Sequence, residues 1–359
     1  MGERLALADV HHVVDGYDIR LVSLDDAGAS GVPEPGLAEA NAKSAVENET
    51  TVAYIGDYDS ASTAVSLPVT NKAGVLQVST RSPYAGLTSS FDAGQGDPER
   101  FYPSGKRTFI RLLPGDIVQG AAQIALLQAL HVQRLFVLSD GEPFTAPLAT
   151  IVAEGAKRNG IDLVGQETVE VADAGSNPTF AEQVSKVLQS GAEAVFVSGQ
   201  DDPGTVALWR ELHANDPSLH LLGTSEMAES AFPSELGFAE ADSYLTSPVL
   251  PPSSYPKAAK KVLRQFRARF HTPGSSYALY GYEAMTLVLD AIRSAAKRPI
   301  SREAVVAAAF HLRRLRSVLG PYEVLPDGET TIVRYGADVL RNGKAVFWRE
   351  LPISGPHVP

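Results

Sequence analysis

The chain has 359 residues, 44% of them hydrophobic and 20% charged, the balance of a soluble globular protein long enough for two lobes with cores of their own. Its 31 Lys and Arg against 42 Asp and Glu leave a formal charge of −11, which argues against nucleic acid and anionic membranes as partners, since both call for a basic face. There is no cysteine, so thiol catalysis, disulfides and Cys-ligated metals are excluded and the compartment stays open.

The first residues, MGERLALADVHHVV, lack the charged n-region and apolar core of a signal peptide, so an export signal has been removed from this sequence or was never present. Apolar periodicity predicts a helix over Glu3–Val14, a strand over Tyr17–Leu24 and, past a loop at 25–36, a helix over Leu37–Asn48. Val52–Ile55 is a short β-branched and aromatic run ended by Gly56, the pattern of a buried parallel strand. A polar loop stocked with cap residues, Asp57 to Thr63, opens a helix that reaches Lys72 and is either kinked or shortened at Pro68. Gly74 ends it, and Val75–Val78 is the next strand. This βαβ unit sets its Ser/Thr loop at the carboxyl ends of the strands, where open α/β sheets bind ligands, and the free N–H groups of a helix start at Ser60–Thr63 suit a carboxylate.

The Gly-, Ser- and Pro-rich segment between Pro83 and Arg107 carries no clear periodicity, which marks it as functional or mobile. Beyond it strands alternate with helices: Thr108–Leu113, Arg134–Leu138, Asp162–Thr168, Ala194–Val197, Leu219–Leu222 and Ser243–Val249 against Ile117–Leu130, Ala146–Asn159, Asn177–Gln189 and Gly204–Ala214. Asp116 stands at an N-cap position. Alternation with loops of a few residues predicts a parallel, doubly wound sheet. The proline-rich stretch PVLPPSSYP then stiffens a crossing, and helices follow at Lys257–Phe270, Tyr277–Ala296 and Ser301–Phe310. After Gly320 short alternating strands take over, with turns at Asp327-Gly328 and Arg341-Asn342-Gly343. The tail 351–359 reads as loose.

In order along the chain, LVSLDD, AYIGDYDSASTAVSLPVTNKAGVLQVST, FIRLLPGDIVQGAAQIA, RLFVLSDGEPFTAPLA, AEAVFVSGQDDPGTVALWREL, LLGTSEMAESAF, SYALYGYEAMTLVLDAI and LGPYEVLPDG together resemble the type I periplasmic-binding-protein family. More narrowly, they look like the leucine/isoleucine/valine-type solute-binding components of ABC transporters. The resemblance implies an α/β fold of two doubly wound parallel-sheet lobes joined by three crossing segments, closing on a ligand in the cleft between them. It assigns 1–115 and 250–319 to the first lobe and 116–249 and 320–350 to the second. Two departures stand out. The family's opening strand and its Gly/Tyr-bearing loop are missing here, by truncation or by replacement at that sheet edge. Where relatives carry small residues and Thr after the third strand, this chain has Arg81-Ser82-Pro83, and Pro83 offers neither an N–H nor a hydroxyl.

Site residues follow from the resemblance, each beside a plainer reading. Ser60 offers its N–H and hydroxyl to a ligand carboxylate, or caps its helix along with Ser62 and Thr63. Ser82 supplies the next hydroxyl. Arg81 pairs with an acidic ligand or closes a surface ion pair, and Tyr58 stacks on the ligand or stands exposed. Phe144 lids the ligand's apolar part or packs in the core. Gln200 and Asp201 follow a strand toward the cleft. Glu226 meets a ligand ammonium, a place Ser225 fits equally, or starts a helix. Of Tyr277, Tyr280 and Tyr282, spaced along one helix, at least one belongs to the core, with Tyr277 the one assigned to the ligand. Arg111 reads as a structural ion pair.

The histidines have no metal-type spacing, and no nucleophile elbow, phosphate-binding loop or zinc-protease motif is present. No metal, cofactor or catalysis is therefore expected. The expected partners are a small amino-acid-like ligand, branched-chain or otherwise apolar, and an ABC permease; the protein is expected to be extracytoplasmic and monomeric. The alternative is a ligand-sensing domain of a receptor or regulator that binds an amide, a carboxylate or an aromatic compound.

Overall fold

A computed structural model describes residues 1–29, 31–91, 93–169, 179–228, 230–296 and 300–353. The chain divides into two units, one of Met1–Gly115 with Pro251–Ile332, the other of Asp116–Leu250 with the residues from Val333 on, so the backbone passes from one to the other three times.

In the first unit, Ala53–Ile55, Leu76–Ser79 and Phe109–Arg111 form a parallel sheet in that order. Helices Gly2–Asp9, Pro35–Glu47, Ser60–Lys72, Lys257–Phe270, Tyr277–Ala295 and Arg302–Ala309 belong to this unit. Helix Ser60–Lys72 continues through Pro68 as one element. The strand expected over Tyr17–Leu24 is not formed. Only Tyr17–Asp18 pairs, antiparallel with Val13–Val14, while Val22 and Leu24 remain 57% and 45% exposed. Alternation supplies two faces but not a hydrogen-bonding neighbour, and among the described residues the sheet's edge strand Ala53–Ile55 pairs only with Leu76–Ser79.

The segment after Pro83 is packed rather than loose. Two short 3₁₀ turns, Ala85–Leu87 and Glu99–Phe101, bury Leu87 and Phe101 beside Tyr84 and Tyr102, and the Tyr102 hydroxyl donates to the Leu87 carbonyl at 2.7 Å. Residues 320–332, assigned to the second lobe from sequence, lie in the first unit. The cause is a pair of bonds to strand Phe109–Arg111: the Arg111 N–H donates to the Gly328 carbonyl at 2.8 Å, and Arg111 Nε donates to Glu329 Oε1 at 3.0 Å. The turn at Asp327-Gly328 forms as expected, with φ of +94° at Gly328.

The second unit holds a seven-stranded sheet in the order Lys344–Glu350, Gly336–Arg341, Ser243–Ser247, His220–Gly223, Ala194–Ser198, Arg134–Ser139, Asp162–Thr168. The first two strands are antiparallel, joined by the Asn342-Gly343 turn with φ of +53° and +70°, and the other five are parallel. The core divides by strand parity. Leu135 and Val137 face helices Asp116–Ala129 and Ala146–Arg158 on one side. Phe136 and Leu138 face Val184 and Trp209, on helices Ala181–Ser190 and Pro203–Asn215, on the other. Burial on both faces explains why these strands read as unbroken apolar runs. The predicted helix start at Asn177-Pro178 lies outside the described residues, as does 354–359 of the tail; Leu351, also read as tail, is buried and donates its N–H to the Tyr335 carbonyl.

A Cβ added at Gly328 would stand 2.0 Å from the Phe109 carbonyl oxygen, on a backbone already in the left-handed region. Gly328→Ala is expected to destabilise the protein by on the order of 3 kcal/mol, from strained φ and overpacking together, read as a lower urea midpoint; an unchanged midpoint would contradict this seating of the hairpin.

Candidate functional site

Each unit gathers some of the residues singled out above at the carboxyl ends of its parallel strands. In the first unit the cap of helix Ser60–Lys72 is Asp59, not a serine. Its Oδ1 accepts the Ser62 N–H at 2.7 Å and its Oδ2 the Ser62 hydroxyl at 3.0 Å. The N–H groups of Ser60 and Ala61, the first two of the helix, have no acceptor among the described residues. Ser60 Oγ accepts the Tyr84 N–H at 3.1 Å, which fixes the hydroxyl beside these two donors. Ser82 is fully buried; its Oγ lies 2.6 Å from Thr63 Oγ1 and reaches the Asp59 carbonyl at 3.0 Å.

Arg111 holds this loop from behind. Its guanidinium is buried, and Nη1 donates to the carbonyls of Ser82 and Tyr84 at 2.7 and 2.8 Å, Nη2 to Thr88 Oγ1 at 2.6 Å, and Nε to Glu329. It is the structural ion pair expected from sequence. In front, Tyr58 is 53% exposed, and the Arg81 guanidinium carbon stands 4.1 Å from the centre of its ring, a cation–π stack. Asp57 sits beneath, accepting the Tyr54 hydroxyl at 2.7 Å and the Ser66 hydroxyl. Burial pushes its carboxyl up to about 6, against the hydrogen bonds from Ser66 and Tyr54 that pull it down.

In the second unit three strand-end loops are tied to one another. The Asp140 N–H donates to the Ser198 carbonyl at 3.0 Å, Ser198 Oγ to the Thr145 carbonyl at 2.7 Å, and Thr224 Oγ1 to the Gly199 carbonyl at 3.1 Å. They carry Phe144, half-buried just before helix Ala146–Arg158; Gln200, exposed; and Asp201, whose Oδ2 accepts the Ala231 N–H at 3.1 Å. Ser225 is buried at the start of helix Ser225–Ala228 and its N–H donates to Gln119 Oε1 at 2.9 Å, with Glu226 half-buried beside it.

Tyr277 begins helix Tyr277–Ala295 in the first unit. Its phenol oxygen is buried without a hydrogen-bond partner among the described residues. Tyr280 belongs to the core, and the Tyr282 hydroxyl donates to Asp9 at 2.9 Å.

The sequence reading missed Asp59 as the cap, Tyr84, Gln119 and Glu329. Asp59 had a local signal, an acid directly before a helix start; the other three are placed by long-range bonds that no local pattern announces.

Asp57 gives a pH prediction. The unfolded chain loses this proton near about 4, whereas the folded chain keeps it up to about 6. Across that window the folded state holds the extra proton, so this residue's contribution to stability is greatest below about 4 and is lost as pH rises through 6. Asp57→Asn is expected to gain on the wild type by up to about 3 kcal/mol between pH 4 and 7, measured by urea denaturation at each pH; a constant difference would contradict it.

The known proteins that this chain is similar to agree with the architecture. An amino acid binding protein of Pseudomonas aeruginosa is 23% identical over 287 residues, 79% of this chain and 69% of that protein. An ABC transporter substrate-binding protein of Desulfitobacterium hafniense, solved in complex with leucine, superposes with a TM-score of 0.76 at 18% identity, covering 97% of this chain and 94% of the other. A solute-binding protein of an R. palustris ABC transporter, solved with benzoate, gives 0.71 at 14% identity over 98% and 91%. At these identities the structural likeness speaks for the fold. The family model of periplasmic binding proteins matches residues 1–335, nearly the whole chain, and this protein therefore belongs to the periplasmic binding protein family, with the type I fold.

Proposed function

We propose that this protein is the extracytoplasmic solute-binding component of an ABC transporter and holds a small amino-acid-like ligand in the cleft between its lobes, without making or breaking a bond. The observation that carries this reading is the Ser60 corner. Two N–H groups without an acceptor among the described residues, at the start of a 13-residue helix and with a hydroxyl pinned beside them, make an anion receptor at the ligand-binding end of a parallel sheet. In this reading Ser60 and Ala61 receive the ligand carboxylate while Arg81, carried over Tyr58, balances the charge. Ser82 works from behind, orienting Thr63 and the Asp59 carbonyl. From the second unit Glu226, Ser225 or Asp201 meets the ammonium, Gln200 adds an amide, and Phe144 covers an apolar side chain.

Ligand binding would favour a closed form, and that form would dock as a monomer on a membrane permease. A branched-chain or other apolar amino acid is the first choice. An aryl carboxylate, bound by a transporter component or by a sensing domain, is the second. It is favoured by the Arg81–Tyr58 stack and by Pro83, which lacks the N–H that an α-amino acid would use.

A thermal-denaturation panel of leucine, isoleucine, valine, small amides and benzoate tests the proposal. One class is expected to raise the melting temperature by a few degrees at about a hundred times its dissociation constant. Tyr277→Phe is expected to leave the ligand-free melting temperature equal or higher, since it removes a buried hydroxyl with no partner among the described residues, and to shrink the ligand-induced rise. No rise with any compound would overturn the proposal, and an undiminished rise in Tyr277→Phe would remove that residue from the site.

A further inference from the structure

The formal charge of −11 is unevenly spread. No Asp or Glu occurs between Asp242 and Glu283, and the helix Lys257–Phe270 inside that stretch carries six cations in 14 residues. Outside the helix, 25 Lys and Arg stand against all 42 acids. At ~100° per residue, Lys257, Lys260, Lys261, Arg264 and Arg267 fall within an arc of about 120°, along about 15 Å of helix. All five are exposed, and none forms an ion pair with an acidic side chain among the described residues. The opposite face is committed to the fold, with Ala259, Val262 and Phe266 buried and the Phe266 ring 4.8 Å from that of Phe270.

Such a stripe works against its own helix. Lys257–Lys261 and Lys260–Arg264 are like-charge pairs four residues apart, and Lys257–Lys260, Lys261–Arg264 and Arg264–Arg267 are such pairs three apart, each of them repulsive. Lys257 also sits in the first turn, where the helix dipole disfavours a cation. An external anion relieves every one of these terms.

We propose that this face is a docking surface for an anionic phospholipid bilayer. Between the cations the helix exposes only Ala258 and Ala268, with Gln265 half-buried, so it offers none of the aromatic anchors around which a shaped protein interface forms. Long cationic side chains on a convex helix suit a fluid array of phosphate headgroups that adjusts to them. The apolar face is occupied by the protein's own core, so attachment is electrostatic and reversible rather than insertive. Distant acidic residues do not cancel it, because screening limits the field to about 8 Å at physiological salt. The expectation drawn from net charge, that an anionic membrane is no partner, holds only for an even surface.

The test uses the full chain and sedimentation with vesicles, either phosphatidylcholine alone or phosphatidylcholine mixed in roughly equal parts with phosphatidylglycerol, at about 0.1 M salt, where screening still isolates the stripe from the distant acids. Binding to the anionic vesicles is expected to be at least about tenfold tighter and to disappear as salt is raised toward about 0.5 M. The Lys260→Gln/Arg264→Gln/Arg267→Gln variant is expected to lose about tenfold or more while melting no lower than wild type. Should it fold poorly, Lys257→Gln/Lys261→Gln carries the same expectation in weaker form, and Arg269→Gln, off the stripe, is expected to bind as wild type. Equal binding to both vesicles, wild-type binding by the charge-stripped variants, or tighter binding to duplex DNA at the same phosphate concentration would each overturn the proposal.

Discussion

The buried guanidinium of Arg111 is the constraint on which the candidate site depends. A cation removed from water is tolerated only where its donors are taken up, and here the two loop carbonyls, Thr88 and Glu329 take them. Two of those acceptors, the carbonyls of Ser82 and Tyr84, belong to the loop that follows strand Leu76–Ser79. Orienting them orients the Tyr84 N–H, which in turn pins Ser60 Oγ. The bond that Arg111 donates to Glu329 draws the hairpin at Asp327-Gly328 onto strand Phe109–Arg111. Losing one partner of such a pair leaves a buried charge, at a cost of about 3–5 kcal/mol. The corner proposed to receive a ligand is thus held by a cation buried behind it.

The electrostatics of that corner are mixed, which bears on what it can hold. Asp59 already occupies the helix start as its cap, and Asp57 beneath is kept partly protonated near neutral pH by burial. Asp26 is near enough to raise both Asp57 and the Tyr54 phenol. A bare anion would meet two acids there, whereas a zwitterion, or a carboxylate accompanied by Arg81, would meet opposite charges at close range. This is why the proposed ligand is a small molecule with both a carboxylate and either a positive group or an aromatic body.

The second unit was the more legible of the two in sequence. Strands such as Arg134–Ser139 and Ala194–Ser198 are buried on both faces and read as short apolar runs, while strand Asp162–Thr168 falls at the residues that the pattern marked and helix Pro203–Asn215 within one residue of them at each end. The first unit misled where local pattern and long-range pairing part. Tyr17–Leu24 alternates as a strand but lacks a neighbour, the segment after Pro83 has no periodicity yet packs around Tyr84, and residues 320–332 are placed by bonds to Arg111, 218 positions away in the case of Glu329. At the site the Ser/Thr loop was recognisable by composition. Which hydroxyls are spent inside the fold was not: Ser62 is taken up by the local cap Asp59, but Thr63 and Ser82 bond to each other across 19 residues, a pairing that only tertiary structure supplies.

Native mass spectrometry of the freshly purified chain is the most direct test of the central claim that the Ser60 corner receives one small carboxylate-bearing guest. The protein is expected to carry, or to take up from an equimolar mixture of leucine, isoleucine, valine and benzoate, a single molecule whose retention falls when Ser60→Pro removes the helix-start N–H. A chain that keeps its bare mass throughout that mixture, or a Ser60→Pro variant that is folded and retains the guest undiminished, would contradict the account.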